Sequence, residues 1–116
     1  AVSTLRHEGR HVLSWSPKWP QRADGGAKDL HAGRIETSLM LAIDPGLVRL
    51  ELAEPGVDAD IEKLQRVGVQ AVSASGVLGD PTGASGGEGD QFITTFVNDL
   101  VHAVEAWRPI DPTPIG

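Results

Sequence analysis

Apolar residues recur with helical spacing in two long stretches of the chain. The first stripe predicts a helix over about residues 33–43, and the Asp-Pro-Gly sequence at residues 44–46 ends it. The second stripe predicts a long helix over about residues 88–107, which the prolines of the following tail terminate. The stripe residues are Ile35, Leu39, Ala42 and Ile43 in the first helix, and Phe92, Phe96, Leu100, Val104 and Trp107 in the second.

Two shorter helices are indicated by the residues at their ends. A helix that Gly68 ends is predicted to start at Asp58 or Asp60, because an aspartate side chain accepts a bond from unpaired backbone N–H groups. Residues 1–5 also have helical spacing, with Gly9 at the C-cap, so the chain opens within a helix. A removed tag or signal and a cut polypeptide both explain this start. We favour the cut, since helix interiors are poor starting points for a chain.

Short apolar runs between these helices predict strands. Residues 11–15 and 69–73 have the pattern of buried strands, and residues 47–52 alternate as a half-exposed strand or extended segment does. Strands that alternate with helices indicate an α/β protein with a mainly parallel sheet. Because two or three strands form only a thin sheet, and parallel strands need both faces covered, we expect part of the fold to lie outside this chain.

Composition and charge exclude several classes of function. The 116 residues include no cysteine, which excludes disulfides, thiolate metal ligands and a cysteine nucleophile. A formal net charge of −6 without a basic cluster argues against nucleic acid as a partner. No apolar run is long enough to span a bilayer, and charged residues interrupt the first ten positions where a signal peptide would need an apolar segment. We therefore predict a cytoplasmic protein with no membrane or nucleic-acid partner.

Candidate chemistry lies at the start of the first predicted helix. His31 falls in the preceding loop and Glu36 in the first turn or so. Histidine is suited to general acid/base work near neutral pH, and a glutamate can bind a divalent metal or orient a histidine. By spacing alone, a capping histidine with a surface glutamate is the better explanation of the pair.

The residue order in two segments resembles the signature of the creatininase family. Both segments stand in the family's order, and the likeness extends over about residues 1–108 and leaves residues 109–116 as a Pro-rich tail. Within the family, the chain is most similar to the branch that processes the mycofactocin precursor peptide. The segments are His31-Ala32-Gly33-Arg34-Ile35-Glu36-Thr37-Ser38-Leu39-Met40-Leu41 and Gly76-Val77-Leu78-Gly79-Asp80-Pro81-Thr82-Gly83-Ala84-Ser85.

This resemblance implies a three-layer α/β/α fold with a mainly parallel sheet, of which the chain supplies the C-terminal half. It implies two divalent metal ions (Zn, Fe or Mn), and it places most of their ligands in an N-terminal half outside this chain. It implies homo-oligomers, often hexamers, with that N-terminal half as a partner. Family members hydrolyse amide-type C–N bonds: one branch removes a C-terminal dipeptide from the mycofactocin precursor, and others open creatinine or cleave a formamide.

The resemblance also assigns roles to single residues. His31 matches the catalytic histidine, which moves the proton from the attacking water to the leaving nitrogen. Glu36 either binds a metal or orients His31 from outside the metal's ligand shell, and we favour the ligand. Weaker candidates for substrate binding are Arg34, Trp19 and Asp80. For Asp80 a structural role in the turn before the last helix is the better explanation. The loop at residues 18–30 is expected near the active site.

These inferences predict a metallo-amidohydrolase of the peptidase type that is active only together with its N-terminal half. The natural alternatives are a creatinine amidohydrolase or formamide hydrolase of the same family, and a fragment that serves only in assembly. A peptide or another small amide is the substrate expected for the enzyme. The catalytic assignment depends on His31 and Glu36 reaching one polar pocket.

Overall fold

The computed structural model describes residues 1–20 and 29–107, and within them the regular structure is helical. Among these residues two compact units can be distinguished: residues 1–19 with 95–107, and residue 20 with 29–94. The five α-helices of the described residues are α1 (Val2–His7), α2 (Arg34–Ile43), α3 (Ile61–Val67), α4 (Val69–Val72) and α5 (Gly86–Ala106). Three 3-10 turns occupy Pro45–Leu47, Leu50–Leu52 and Pro81–Gly83.

No strand is present among the described residues, so the strand predictions for residues 11–15, 47–52 and 69–73 are wrong there. A strand needs a neighbouring strand to pair its backbone groups, and these segments have none. Local hydrogen bonds replace the ladder: the N–H of Ser73, the C-cap of helix α4, donates to the Val69 carbonyl at 2.8 Å. The mainly parallel sheet of the predicted α/β/α fold is therefore not seen among the described residues.

Helix α2 confirms the helix predicted over residues 33–43. It starts after Gly33, which is extended at φ −91° and ψ −152°, and it ends at Asp44, which is also extended and precedes Pro45. Ile35 and Ser38 are its buried side chains. Because both lie in the first half of the helix, the N-terminal end of α2 is the better-anchored end.

Helices α1 and α3 confirm the end signals read from the sequence. The Asp60 carboxylate, and not that of Asp58, accepts the Glu62 N–H at 3.0 Å and caps α3. Gly68 ends the helix with φ +77°, a conformation that glycine adopts without steric cost. After α1 the C-cap is Glu8 and the predicted Gly9 follows it, with a φ of +76° and an N–H that donates to the Arg6 carbonyl at 3.0 Å.

Helix α5 confirms the predicted last helix, although it begins at Gly86 rather than near Glu88. The Ser85 hydroxyl accepts the Glu88 N–H at 3.2 Å, which satisfies an unpaired donor of the first turn. A Ser-x-x-Glu sequence is a known helix-start signal, so this earlier start was readable from the sequence. The predicted Pro-rich tail at residues 109–116 lies outside the described residues.

Helices α2 and α5 approach each other backbone to backbone at Gly89. A Cβ atom at this buried glycine would overlap the Ser38 carbonyl oxygen and would lie 2.8 Å from the Ala42 Cβ. Only glycine fits such an approach. Within the described part of residues 20–94, the buried apolar residues are Ile35, Ala59, Leu78, Pro81 and Ala84.

The unit of residues 1–19 and 95–107 is held by aromatic contacts. The Trp15 indole Nε1 donates to the Asp99 carboxylate at 3.0 Å. The rings of Trp19 and Phe96 meet edge to face with centroids 5.6 Å apart. Among the residues that the structure describes, no helix combines the length and apolar character needed to cross a lipid bilayer.

Candidate active site

The backbone of His31 is fixed to a buried partner while its side chain is exposed. The His31 N–H donates to the Leu78 carbonyl at 3.2 Å, and the Leu78 N–H donates to the His31 carbonyl at 2.8 Å, as in an antiparallel bridge. The Leu78 side chain has no solvent exposure. The exposed imidazole therefore stands on an anchored stretch of backbone, which suits a group that must meet a substrate in one geometry.

Glu36 points back from helix α2 towards the loop that carries His31. It is the third residue of the helix, and its Oε2 accepts the N–H of Ala32. This is the geometry of a capping carboxylate, which the positive end of the helix dipole also favours. Ala32 itself has φ +51°, the left-handed conformation that non-glycine residues seldom adopt. The bond from Glu36 thus holds an uncommon backbone turn directly after His31.

Asp29 holds the other end of the same loop, and the sequence analysis did not single it out. Its Oδ2 accepts the Ile35 N–H at 2.7 Å. A Cβ on Gly33 would overlap Oδ1 of Asp29, and a Cβ on Gly79 would lie 2.8 Å from the same oxygen. The only signal in the sequence was an aspartate shortly before a predicted helix start, which is common.

Arg34 belongs to a polar cluster between α2 and the start of α5. Its Nε donates to both carboxylate oxygens of Glu88, at 2.8 and 3.1 Å. The buried Ser38 hydroxyl donates to Glu88 Oε2 at 2.9 Å and accepts the Ser85 N–H at 3.1 Å. Arg34, Ser38, Ser85 and Glu88 are hereafter the α2–α5 cluster, which ties the helix after His31 to the loop before α5.

Asp80 fixes a turn, which is the role that the sequence analysis weighed above substrate binding. Its Oδ1 accepts the Thr82 N–H at 3.0 Å and the Thr82 hydroxyl at 2.6 Å, and so caps the 3-10 turn Pro81–Gly83. Trp19 belongs to the other unit, where it contacts Phe96. Most of the loop predicted near the active site lies outside the described residues, at positions 21–28.

Residues 1–20 and 29–107 contain no group of three or more histidine, aspartate or glutamate side chains that could hold a metal ion. Divalent metals in proteins take several such ligands together. The described residues therefore do not fit a complete metal site, and His31 and Glu36 form at most part of one. What they bring together is an exposed imidazole and a carboxylate at one helix start.

The sequence profile of the creatininase family, described as creatinine amidohydrolase, matches residues 1–104. The chain belongs to the creatininase family. This confirms the resemblance read from the two signature segments around His31 and Asp80. Creatininase-family enzymes are typically metal-dependent, and the family implies a creatininase-like α/β fold.

Several curated proteins are similar to this chain along most of its length. The mycofactocin precursor peptide peptidase of Mycobacterium tuberculosis (strain ATCC 25618 / H37Rv) is 42% identical over 113 residues, and that of Mycobacterium ulcerans (strain Agy99) is 41% identical over 114. The peptidase of Mycolicibacterium smegmatis is 37% identical over 113 residues. The matches cover 94% of this chain but only 43% of each relative. No solved structure matches the chain significantly.

Proposed function

We propose that this chain contributes the proton-transfer residue to a metal-dependent amide hydrolase. The observation that carries the proposal is the exposed His31 imidazole on a backbone bridged to buried Leu78, at the start of the signature helix. By similarity to the peptidases named above, we propose a mycofactocin precursor peptide as the substrate. We further propose that the reaction releases a C-terminal dipeptide from it. We also propose that the protein is cytoplasmic. Its proposed partner is the N-terminal half of such a hydrolase, and the two together form a homo-oligomer.

The proposed reaction requires one proton to move from water to nitrogen. His31 accepts the proton when the water oxygen attacks the peptide carbonyl, and the imidazolium then returns it to the amide nitrogen as the C–N bond breaks. Bound divalent metals would supply a Lewis acid that polarises the carbonyl. Because the described residues do not complete a metal site, the remaining ligands are proposed to come from polypeptide outside this sequence.

Glu36 is proposed as this chain's own metal ligand. Its Oε2 accepts the Ala32 N–H, and a carboxylate has lone pairs on both oxygens, so one side chain can cap the helix and bind a metal. Arg34 is better assigned to the α2–α5 cluster than to a substrate carboxylate, since its Nε is held by Glu88. Trp19 and Asp80 have structural contacts of their own, which support no role in binding the peptide.

A second candidate function is assembly without catalysis. It is favoured by the apolar side chains exposed on the last turns of α5, where Val97, Val101 and Val104 are each about half exposed in the described structure. Such surfaces are typical of contacts with another chain. The two candidates differ in whether His31 matters to turnover.

The proposal is tested on the protein purified from its native host, together with any polypeptide that co-purifies. The precursor peptide is added, and mass spectrometry detects release of a C-terminal dipeptide. His31→Ala should lower turnover by roughly 10²–10⁴-fold with metal content unchanged, because a general acid/base is lost. Glu36→Gln should lower both, since glutamine can still accept the Ala32 N–H but brings no charge to a metal.

The matched control is His102→Ala, because His102 is an exposed histidine in the other unit. It should leave turnover and metal content unchanged. If no amide is hydrolysed by the co-purified protein, or if His31→Ala turns over at the wild-type rate, the catalytic assignment is wrong. If His31→Ala removes the metal and Glu36→Gln does not, the two roles are reversed.

A further inference from the structure

Asp29 closes the loop that carries His31 onto helix α2. Its carboxylate oxygen Oδ2 accepts the Ile35 N–H at 2.7 Å, so the hydrogen bond brackets residues 30–34. The Ile35 side chain is buried, which ties this donor to the best-packed part of the helix. Two hydrogen bonds therefore fix the loop: Asp29 in the loop accepts an N–H of the helix, and Glu36 in the helix accepts the Ala32 N–H of the loop.

Two glycines leave the space that the Asp29 carboxylate occupies. The atoms nearest to a Cβ built on Gly33 all belong to the Asp29 side chain, and Oδ1 is the closest. A Cβ on Gly79 would lie 2.8 Å from the same Oδ1. Gly79 directly follows Leu78, the bridge partner of His31. The carboxylate thus lies between the backbone that follows His31 and the backbone that pairs with it.

From these contacts we propose that Asp29 is a positioning residue, which sets the place of the His31 imidazole without touching the substrate. The catalytic part of this inference rests on the proposed function of His31. An ordinary cap would stabilise α2 and do nothing more. The Asp29 carboxylate differs because it also lies against both backbone segments that flank the His31 bridge. Since small misplacements of a catalytic group slow a reaction strongly, its loss should affect the chemical step.

The first measurement compares Asp29→Ala with Asp29→Asn in the co-purified protein. Alanine removes the acceptor for the Ile35 N–H, whereas asparagine keeps a carbonyl oxygen at nearly the same place. We expect kcat for Asp29→Ala to fall by about tenfold or more, with KM within about twofold, because only the reacting geometry is disturbed. Asp29→Asn should recover most of the loss. Equal kcat in wild type and Asp29→Ala would overturn the proposal.

The second measurement does not depend on turnover. The imidazole resonances of His31 are recorded by NMR in wild type, Asp29→Ala and Asp29→Asn, and assigned by their absence in His31→Ala. We expect the His31 signals to shift and broaden in the alanine variant and to return in the asparagine variant. Unchanged His31 signals in folded Asp29→Ala would contradict a positioning role. If wild type shows no hydrolysis, the proposed function fails, and this measurement alone decides the role of Asp29.

A third variant displaces the carboxylate without altering it. Gly33→Ala introduces a methyl group where Oδ1 of Asp29 lies, and Gly87→Ala is its control because a Cβ on Gly87 meets nothing within 4 Å. We expect Gly33→Ala to shift the His31 signals as Asp29→Ala does. When Asp29 is already alanine, adding Gly33→Ala should shift these signals less than it does in the wild type. Additive effects would overturn the proposal. If Asp29→Ala fails to fold, Gly33→Ala is compared with wild type and Gly87→Ala instead. His31 signals that are shifted in Gly33→Ala alone would then support the proposal, and unchanged His31 signals would overturn it.

Discussion

The start of helix α2 and the last turns of helix α5 are held by different means. At the start of α2, carboxylates and a buried hydroxyl bond to backbone N–H groups and to one another. Along the last turns of α5, in the other unit, Val97, Val101 and Val104 are about half exposed. The contacts of these turns include an indole hydrogen bond to Asp99 and a ring contact of Phe96. In the first region hydrogen bonds hold the side chains in defined positions. The second region presents exposed apolar side chains in the described structure.

This difference separates the two kinds of role that the sequence suggested. Residues that hold a reacting group need bonds with defined directions, which charged and hydrogen-bonding side chains provide. Residues that meet another chain need apolar area more than direction. The α2 region is therefore the better place to test chemistry, and the α5 region is the better place to test assembly.

The largest effect on stability is expected from Glu88→Ala. It removes the acceptor for Arg34 and for the buried Ser38 hydroxyl, and hydrogen bonds to a charged group contribute about 1.5–3 kcal/mol. Because the Glu88 side chain is 25% exposed, solvent weakens the pair, and we expect a loss of about 2 kcal/mol in urea unfolding. Glu88→Gln, which keeps the acceptor oxygen, should lose less. Equal losses in the two variants would show that the charge alone matters.

A smaller effect is expected at the cap of helix α3. Asp60→Ala removes the acceptor of the Glu62 N–H and should lower the free energy of unfolding by about 1 kcal/mol, as measured by urea titration. Asp58→Ala is the control, since the sequence allowed either residue as the cap and the structure uses Asp60. A greater loss for the Asp58 variant would mean that the cap has been assigned to the wrong residue.

The smallest effect is expected on the exposed face of α5. Val101 is 47% exposed, so Val101→Ser should change the unfolding free energy of the isolated chain by no more than about 0.5 kcal/mol. In the protein that co-purifies with partners, the same change should weaken the association, which size-exclusion chromatography measures. An isolated chain that loses much more stability would show that Val101 is buried within its own fold.

Helix positions were readable from the sequence because their causes are local. The apolar stripe of α2, the Asp60 cap and the glycine at position 68 all act within one or two turns of the helix they define. The strands were predicted wrongly because a strand depends on a neighbour that periodicity does not reveal. Residues 69–72, which lack such a neighbour among the described residues, make helical bonds instead.

The sequence indicated the candidate residues of the site but not the contacts that hold them in place. The signature segment identified His31 and Glu36, and the family match confirmed the relationship that the segment indicated. An aspartate before a helix start is common, so the sequence did not indicate the hydrogen bond between Asp29 and Ile35. Gly79 is distant from Asp29 along the chain, and only the structure shows that it leaves space for the carboxylate. The Ser85 cap was missed although its Ser-x-x-Glu pattern was visible.

The close approach at Gly89 has a mechanical consequence. Most packed helices are separated by side chains, which can change rotamer and absorb a small displacement. At Gly89 no side chain separates the two helices, because the backbone of α5 lies against the Ser38 carbonyl of α2. Since tightly packed interiors have low compressibility, a force applied to the first turns of α5 passes directly into α2. A partner that binds the first turns of α5 would therefore also act on α2 and on the loop before it, which carries His31.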